Sequence, residues 1–140
     1  MGKTQQSVTI DQPLEKVWNT VRDFHDMSWA PNVVTKFTVV GDLKGSQIGS
    51  KRILNDAFHE TLIELDESQR TFRYTIDEGP SPVFGDEVEG YVGVVRVADA
   101  ADGGTKVEWT SSWRGKDQEV EDFCHPIYVA LLEDLKKSLG

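Results

Sequence analysis

The last stretch of the chain, residues 117–139, has an apolar residue at every third or fourth position. This spacing predicts a helix with one apolar face. The residues of that face are Val120, Phe123, Cys124, Ile127, Tyr128, Leu131, Leu135 and Leu139. Acidic residues come early and lysines late, which suits the helix dipole. Because such a helix is stable only when its apolar face is covered, the rest of the chain must supply a broad apolar surface.

Pro126 lies inside this helical pattern. A proline removes one backbone hydrogen bond and crowds the carbonyl group four residues earlier, here that of Asp122. We therefore expect either a kink at Pro126 or a short first helical segment followed by a longer one.

The rest of the chain predicts mainly strands. Residues 7–10 alternate as a short strand does, and a helix is predicted from an N-cap at Asp11 to about Phe24. Residues 25–32 are expected to form a turn or a short second helix, since Pro31 prevents a long one. Period-two patterns then predict six strands, at 33–40, 50–55, 58–65, 71–76, 87–97 and 106–114.

Short turns between consecutive strands predict an antiparallel meander, and hence an α+β fold of about seven strands. Its order is strand, helix, short helix, six strands, long helix. We expect a strongly curved sheet wrapped around the C-terminal helix, with bends at Gly85, Gly90 and Gly93. The gap between sheet and helix is a natural ligand cavity.

Length and composition place limits on the protein. The 140 residues predict one domain, residues 1–140, and 38% hydrophobic residues predict a folded globule. The net charge of −9 argues against nucleic acid or an anionic membrane as partner. The absence of a signal sequence or a membrane-spanning run, with Cys124 as the single cysteine, predicts a cytoplasmic protein. We expect Cys124 to be a buried, inert thiol.

Four stretches in order carry a family resemblance. They are residues 13–18 with Asp23, Phe24, Trp29 and Pro31; residues 49–52; residues 60–66 with 70–74; and residues 104–109. Together they resemble the START-like (SRPBCC) superfamily, the helix-grip fold of the Bet v 1-like pollen allergens and the polyketide cyclase/dehydrase branch. The resemblance implies the fold more specifically than the function, because one fold serves many functions.

A narrower resemblance is to the polyketide-cyclase-type branch that includes the plant lachrymatory-factor synthases. Those proteins place an arginine, a glutamate and a tyrosine in the cavity, and Arg52, Glu60 and Tyr91 match them by motif. The resemblance implies that Glu60 acts as the base, while Arg52 and Tyr91 stabilise an oxyanion. The alternative is that Arg52 and Glu60 form a surface cross-strand ion pair, which would contribute less than ~1 kcal/mol.

Large apolar side chains on the inner faces are the candidates for ligand contact. They are Trp29, Phe37, Leu62, Phe72, Tyr74, Trp109, Trp113, Phe123 and Ile127. We expect no cofactor, because the proposed acid–base chemistry needs none. We also expect no metal, because His25, His59 and His125 are scattered and the acidic residues at 86, 87 and 89 match no calcium loop.

Three functions are consistent with the sequence. The first is binding of a small hydrophobic molecule (aromatic, polyketide-like or lipid-like), with acid–base catalysis of the cyclase/dehydrase type. The second is a non-catalytic carrier or sensor of a lipophilic metabolite, and the third is a protein-interaction module. They predict, respectively, a charged pair inside the cavity, an apolar cavity with one or two polar anchors, and a filled cavity with an exposed apolar patch. Either a monomer or a homodimer is compatible with the sequence.

Overall fold

A computed structural model describes residues 1–83, 88–101 and 103–140. The helices and strands, in chain order, are β1 (Gly2–Ile10), α1 (Leu14–Val21), β2 (Phe37–Val40), β3 (Lys51–Leu54), β4 (Phe58–Asp66), β5 (Thr71–Glu78), β6 (Glu89–Asp99), β7 (Thr105–Arg114) and α2 (Asp117–Leu139). The seven strands form one curved antiparallel sheet of order β1-β7-β6-β5-β4-β3-β2. This architecture confirms the predicted α+β helix-grip fold.

The long helix α2 packs against one half of the sheet, with its main contacts on β1 and β7. Alternation along β7 turns Val107, Trp109 and Trp113 inward, where all three are buried. Trp113 stacks on Tyr91 of β6, with ring centroids 5.5 Å apart and planes 7° from parallel. These large side chains form part of the hydrophobic core between the sheet and α2.

The first strand is longer than predicted. Residues 2–6 belong to β1 although they lack apolar alternation. Thr4 and Gln6 point inward and are buried, and they bond to Ser111 and to the Trp109 carbonyl group instead of packing as apolar residues. A pattern of hydrophobic residues does not reveal a strand whose inner face is polar and hydrogen-bonded.

The helical boundaries differ from the sequence expectation in three places. Helix α1 begins at Leu14, after Pro13, and has no side-chain cap, so Asp11 does not serve as its N-cap. Residues 22–36 form turns and bends, so of the two alternatives for residues 25–32 the turn is present, and the short second helix of the predicted order is not. Helix α2 continues through Pro126 as one helix, so the proline does not divide it. The contacts of α2 along the sheet stabilise it against the loss of one hydrogen bond.

The structure describes two of the three glycines that were predicted to allow bends in the sheet, and both lie in β6. Gly90 has φ +65° next to an irregularity in the pairing of β6 with β7. A Cβ atom on Gly93 would lie 2.2 Å from the ring of Tyr74, so glycine is required for that ring to cross the strand. Gly85 and the acidic residues Asp86 and Glu87 lie outside the described residues.

Candidate functional site

A cavity of about 220 Å³ lies between α2 and the half of the sheet formed by β3, β4 and β5. Its walls come from the sheet, from α2 and from the turn segment before β2. The lining residues are Val33, Val34, Arg52, Leu54, Asn55, Phe58, Glu60, Tyr74, Ile76, Trp109, Cys124, Ile127, Tyr128 and Leu131. Most of these side chains are apolar, and Arg52 and Glu60 are the basic and the acidic residue among them.

The hairpin of β3 and β4 brings the two charged residues together. Asn55 and Asp56, in its turn, have φ values of +56° and +55°, a backbone conformation that asparagine and aspartate adopt more readily than most residues. The register that follows pairs Arg52 directly with Glu60. Because side chains alternate along a strand, Arg52 and Leu54 face the cavity while Lys51 faces solvent.

Arg52 is held on every side by protein groups. Its Nε donates to Glu60 Oε1 at 2.8 Å, and its Nη2 lies 2.7 Å from the same oxygen. Its Nη1 donates to the Phe24 carbonyl oxygen at 3.2 Å and lies 3.4 Å from Met27 Sδ. The guanidinium carbon also lies 3.8 Å from the centroid of the Phe24 ring, a cation–π contact. Arg52 is therefore suited to positioning the Glu60 carboxylate.

Glu60 keeps one carboxylate oxygen unbonded. The contacts from Arg52 both reach Oε1, and Oε2 accepts no hydrogen bond from the described residues. The side chains of Arg52 and Glu60 are only 2% and 6% exposed. Loss of hydration raises the pKa of the Glu60 carboxyl group, and this effect exceeds the opposing charge and hydrogen bond of Arg52. A glutamate in this environment can accept or release a proton closer to neutral pH than an exposed one.

Three tyrosines, from β5, β6 and α2, form a hydrogen-bonded cluster, and two of them, Tyr74 and Tyr128, line the cavity. The hydroxyl groups of Tyr74 and Tyr128 lie 3.1 Å apart, and the Tyr128 hydroxyl also bonds to that of Tyr91. Trp109 Nε1 donates to the Tyr74 hydroxyl oxygen at 3.0 Å. Burial raises the pKa of all three phenols above their ordinary value, so they are neutral hydrogen-bond donors near pH 7.

The predicted site residues fall into two groups. Arg52, Glu60, Tyr74, Trp109 and Ile127 line the cavity. The others pack beside the cavity rather than line it, and they are Trp29, Phe37, Leu62, Phe72, Tyr91, Trp113 and Phe123. The hydroxyl of Tyr91 lies behind that of Tyr128, so the structure connects Tyr91 to the cavity only through Tyr128.

Several lining residues were not among the predicted ones. Leu54 and Ile76 alternate with Arg52 and Tyr74 along their strands, and Tyr128 and Leu131 lie on the apolar face of α2, so the sequence carried a signal for these four. The period-two pattern placed Val33 and Val34 in a strand over residues 33–40, but the strand begins at Phe37, and the turn segment before it contributes Val33 and Val34 to the cavity.

That turn segment is held in place by the side chain of Asn55. Its Oδ1 accepts from the backbone N–H groups of Thr35 and Lys36 at 2.8 and 3.1 Å. Its Nδ2 donates to the Val33 carbonyl oxygen at 2.8 Å. The segment and the hairpin turn are far apart in sequence, so local patterns do not reveal this wall of the cavity.

His59 lies on the outer side of β4, as the alternation with Glu60 predicts. Its side chain is 39% exposed and its Nε2 lies 3.8 Å from Glu78. Within the described part of the chain, no group of three or more His, Cys, Asp or Glu side chains is arranged to hold a metal ion. None of the helices in that same part is long and apolar enough to cross a bilayer.

Solved structures of other proteins share this fold. A protein from Nitrosospira multiformis is 38% identical, with 99% of this chain and 96% of that chain covered and a TM-score of 0.93. A protein from Thermobifida fusca is 26% identical, with coverages of 100% and 94% and a TM-score of 0.85. The ginseng major latex-like protein 151 from Panax ginseng is 16% identical over 99% of this chain and 97% of its own, with a TM-score of 0.79, which shows the fold alone.

A comparison with curated proteins finds no match. The sequence profile of the family described as polyketide cyclase/dehydrase and lipid transport matches residues 1–140. With that match over the full sequence and the helix-grip architecture already seen, the chain belongs to the polyketide cyclase/dehydrase and lipid transport family.

Proposed function

We propose that this protein binds a small, largely apolar molecule in the cavity and moves a proton on that molecule with Glu60. The main support for the proposal is the buried Arg52–Glu60 pair. Glu60 lines the cavity, and its Oε2 accepts no hydrogen bond from the described residues. A buried ion pair is weak evidence for stability, because apolar residues of the same size often stabilise a protein as well or better. Its presence in an otherwise apolar cavity therefore favours a chemical role.

The size of the cavity limits the ligand. A cavity of about 150 Å³ lined by apolar side chains binds benzene. The cavity here is about 220 Å³. We therefore expect molecules of one or two rings, with on the order of ten heavy atoms, rather than a long acyl chain. Trp109, Tyr74 and Phe58 supply aromatic walls that suit a planar ligand.

The proposed chemistry uses two sets of polar groups, the Arg52–Glu60 pair and the hydroxyl groups of the tyrosine cluster. Glu60 takes a proton from an acidic C–H or O–H group of the ligand and becomes a neutral carboxylic acid, and the electron pair stays on the ligand. Hydroxyl groups of the tyrosine cluster stabilise the negative charge that develops there. Arg52 keeps Oε1 in place throughout. Return of the proton to another ligand atom completes an isomerisation. Transfer of the proton to a hydroxyl group that departs as water, as its C–O bond breaks, completes a dehydration. In an aldol-type cyclisation the deprotonated carbon instead attacks a carbonyl carbon of the same ligand, and the carbonyl oxygen takes the proton from Glu60 as its π bond breaks.

Ligand-dependent thermal melting tests the binding part of the proposal. A panel of one- and two-ring compounds, including indane and naphthalene, is measured against the parent, Ile127→Trp and Ile48→Trp. Ile127 lines the cavity, whereas Ile48 is 55% exposed elsewhere, so the second variant is the matched control. A ligand at 100 times its Kd should stabilise the parent and the control by about 2.7 kcal/mol, and the cavity-filling variant much less. Equal shifts in both variants, or none in the parent, would overturn the proposal.

Hydrogen exchange tests the chemical part. The rate at which the acidic hydrogens of a bound bicyclic ketone exchange with D₂O is followed by NMR in the parent and in Glu60→Gln. We expect a rate at least ~100-fold lower in the variant, the usual contribution of a general base. Binding without faster exchange in the parent would identify a carrier of the same molecules instead of an enzyme.

A further inference from the structure

The buried pair of Arg52 and Glu60 lacks a geometry that arginine and carboxylate groups commonly adopt. In that geometry two guanidinium nitrogens donate to two different carboxylate oxygens, which makes a strong bidentate pair. Here Nε of Arg52 donates to Oε1 of Glu60 at 2.8 Å, and Nη2 lies 2.7 Å from the same oxygen. Because a buried pair would gain from bidentate bonding, a contact outside the pair must hold the guanidinium group away from Oε2.

That contact comes from Phe24, in the turn that follows α1. Its carbonyl oxygen accepts a hydrogen bond from Nη1 of Arg52 at 3.2 Å, and the guanidinium carbon lies 3.8 Å from the centroid of its ring. The hydrogen bond fixes the nitrogen that does not contact Glu60, and the ring face fixes the plane of the guanidinium group. Rotation toward Oε2 would lengthen this hydrogen bond and lift the cation from the ring.

The backbone of Phe24 is tied to two neighbouring segments. Its N–H group donates to the Gly45 carbonyl oxygen at 3.2 Å. A Cβ atom on Gly45 would lie 2.7 Å from the backbone nitrogen of His25, so glycine is required for this close approach. Nε2 of His25 lies 3.0 Å from the carbonyl oxygen of Lys51, the residue before Arg52. The turn that carries Phe24 is therefore attached to β3 next to the guanidinium group that it holds.

The ring of Phe24 is fixed by two aromatic neighbours. It meets the ring of Phe72 edge-on, with centroids 6.3 Å apart and planes at 78°, and it lies 6.2 Å from the ring of Tyr74. Among the rings of the described residues, those of Phe24 and Tyr74 lie near the guanidinium carbon of Arg52, at 3.8 and 5.6 Å. Phe72 thus belongs to the same aromatic cluster without contacting the cation.

We propose that Phe24 is a positioning residue of the site, and that it keeps both contacts of Arg52 on Oε1 so that Oε2 of Glu60 stays free to accept a proton from the ligand. This inference rests on the proposed function, in which Glu60 is the base. Without the ring of Phe24, the guanidinium group can turn and donate to both carboxylate oxygens. Glu60 is then a weaker base, because both of its oxygens are stabilised in the ionised form.

Phe24→Leu tests this role, with Phe72→Leu as the matched control. Each variant removes one ring from the same buried cluster and keeps the backbone carbonyl group. The pKa of the Glu60 carboxyl group is measured by NMR in the ligand-free proteins. We expect a lower pKa in Phe24→Leu than in the parent, and the parent value in Phe72→Leu. Asp77, the other charged residue that acts on Glu60, is the same in all three proteins.

Exchange of the hydrogens of the bicyclic ketone with D₂O gives the functional measurement. At pH 7 we expect kcat/KM for exchange to be about three- to thirtyfold lower in Phe24→Leu, the loss that corresponds to one desolvated cation–π contact. The acid limb of the pH profile should move to lower pH, while the Kd of indane stays unchanged. A purely structural role for Phe24 would lower the amount of folded protein and leave the pH profile in place.

Pentafluorophenylalanine in place of Phe24 serves if leucine prevents folding. It keeps nearly the shape of the ring and removes the negative charge from its face, so the cation–π contact is lost without a cavity. We again expect a lower pKa for Glu60. An unchanged or higher pKa in the Phe24 variants, or the same decrease in Phe72→Leu, would overturn the inference. Absence of ketone exchange in the parent would overturn the catalytic part of the proposed function, and the pKa comparison, which needs no ligand, separates the two failures.

Discussion

Two neighbouring residues of β3 carry positive charges into opposite environments. Lys51 points outward and its Nζ lies 3.9 Å from Asp77, with the two side chains 53% and 44% exposed. Arg52, the next residue, points inward to Glu60, with exposures of 2% and 6%. The outer pair remains hydrated and contributes little to stability. The inner pair is removed from solvent, so each charge is stabilised only by its partner and by the few polar groups around it.

The contrast between the two pairs indicates which charged residues of this fold are candidates for chemistry. A charged residue on the outer face gives little indication of function, because most surface charges contribute mainly to solubility. A charge pair that the sheet holds inside, beside a cavity, costs desolvation energy that apolar residues would avoid. Substitutions at the inner pair, with Asp77 and Glu67 as outer carboxylates for comparison, should therefore differ in their effects on stability.

The largest effect is expected from Glu60→Gln. This change leaves the buried Arg52 charge without its counterion, and the free energy of unfolding should fall by about 3 kcal/mol. The matched outer change, Asp77→Asn, should cost about 1 kcal/mol or less. Urea unfolding at pH 7 measures both. Equal losses would show that burial does not distinguish the two pairs.

Replacing both inner partners should largely restore stability. In the double variant Arg52→Met/Glu60→Leu, no charge remains buried and the side-chain volumes are similar. We expect a free energy of unfolding within about 1 kcal/mol of the parent, or above it, together with loss of ketone hydrogen exchange. The same urea experiment serves as the measurement. A double variant as unstable as Glu60→Gln would indicate that the pair is required for folding and would weaken the chemical interpretation.

The pH dependence should have opposite signs for an inner and an outer glutamate. The pKa of folded Glu60 is raised, mainly by burial, so above the ordinary glutamate pKa of about 4.3 the unfolded chain releases this proton first. The contribution of Glu60 to stability therefore decreases as pH rises toward its folded pKa. The pKa of Glu67 is lowered, mainly by the hydrogen bond from Arg22, so its contribution is present above pH 4.3 and is lost as pH falls.

Thermal or urea unfolding between pH 3 and pH 8 measures these slopes as differences between the parent and each single variant, Glu60→Gln and Glu67→Gln. Taking the difference removes the contribution of the other carboxylates, which all three proteins share. Slopes of the same sign for the two variants would contradict the assignment of Glu60 as a desolvated carboxyl group.

Much of the fold could be predicted because it depends on local patterns. The helical spacing of residues 117–139 and the period-two patterns at 50–55 and 58–65 located α2 and the β3–β4 hairpin within a residue or two. The pairing of Arg52 with Glu60 follows from that hairpin, since the two residues are equally far from its turn. Whether the pair faced inward could not be determined, because the hydrophobic pattern of so short a strand fits both faces.

The remaining parts of the site depend on contacts between distant segments. Val33 and Val34 line the cavity because hydrogen bonds to Asn55 hold their segment as a turn, whereas the local pattern had predicted a strand there. The inner face of β1 carries polar residues such as Gln6. This part of the strand therefore lacks the alternating hydrophobic pattern by which a strand is predicted. Tyr128 was visible as part of a helix face, but its bonds to Tyr74 and Tyr91 appear only when three separate elements come together.

The most direct test of the account is the pKa of the Glu60 carboxyl group, measured by NMR with and without indane. We predict a pKa above the ordinary value of about 4.3 in the free protein, and a further increase when indane displaces water from the cavity and desolvates Oε2 more completely. An ordinary pKa for Glu60 that indane leaves unchanged would contradict the claim that this carboxylate faces a ligand cavity.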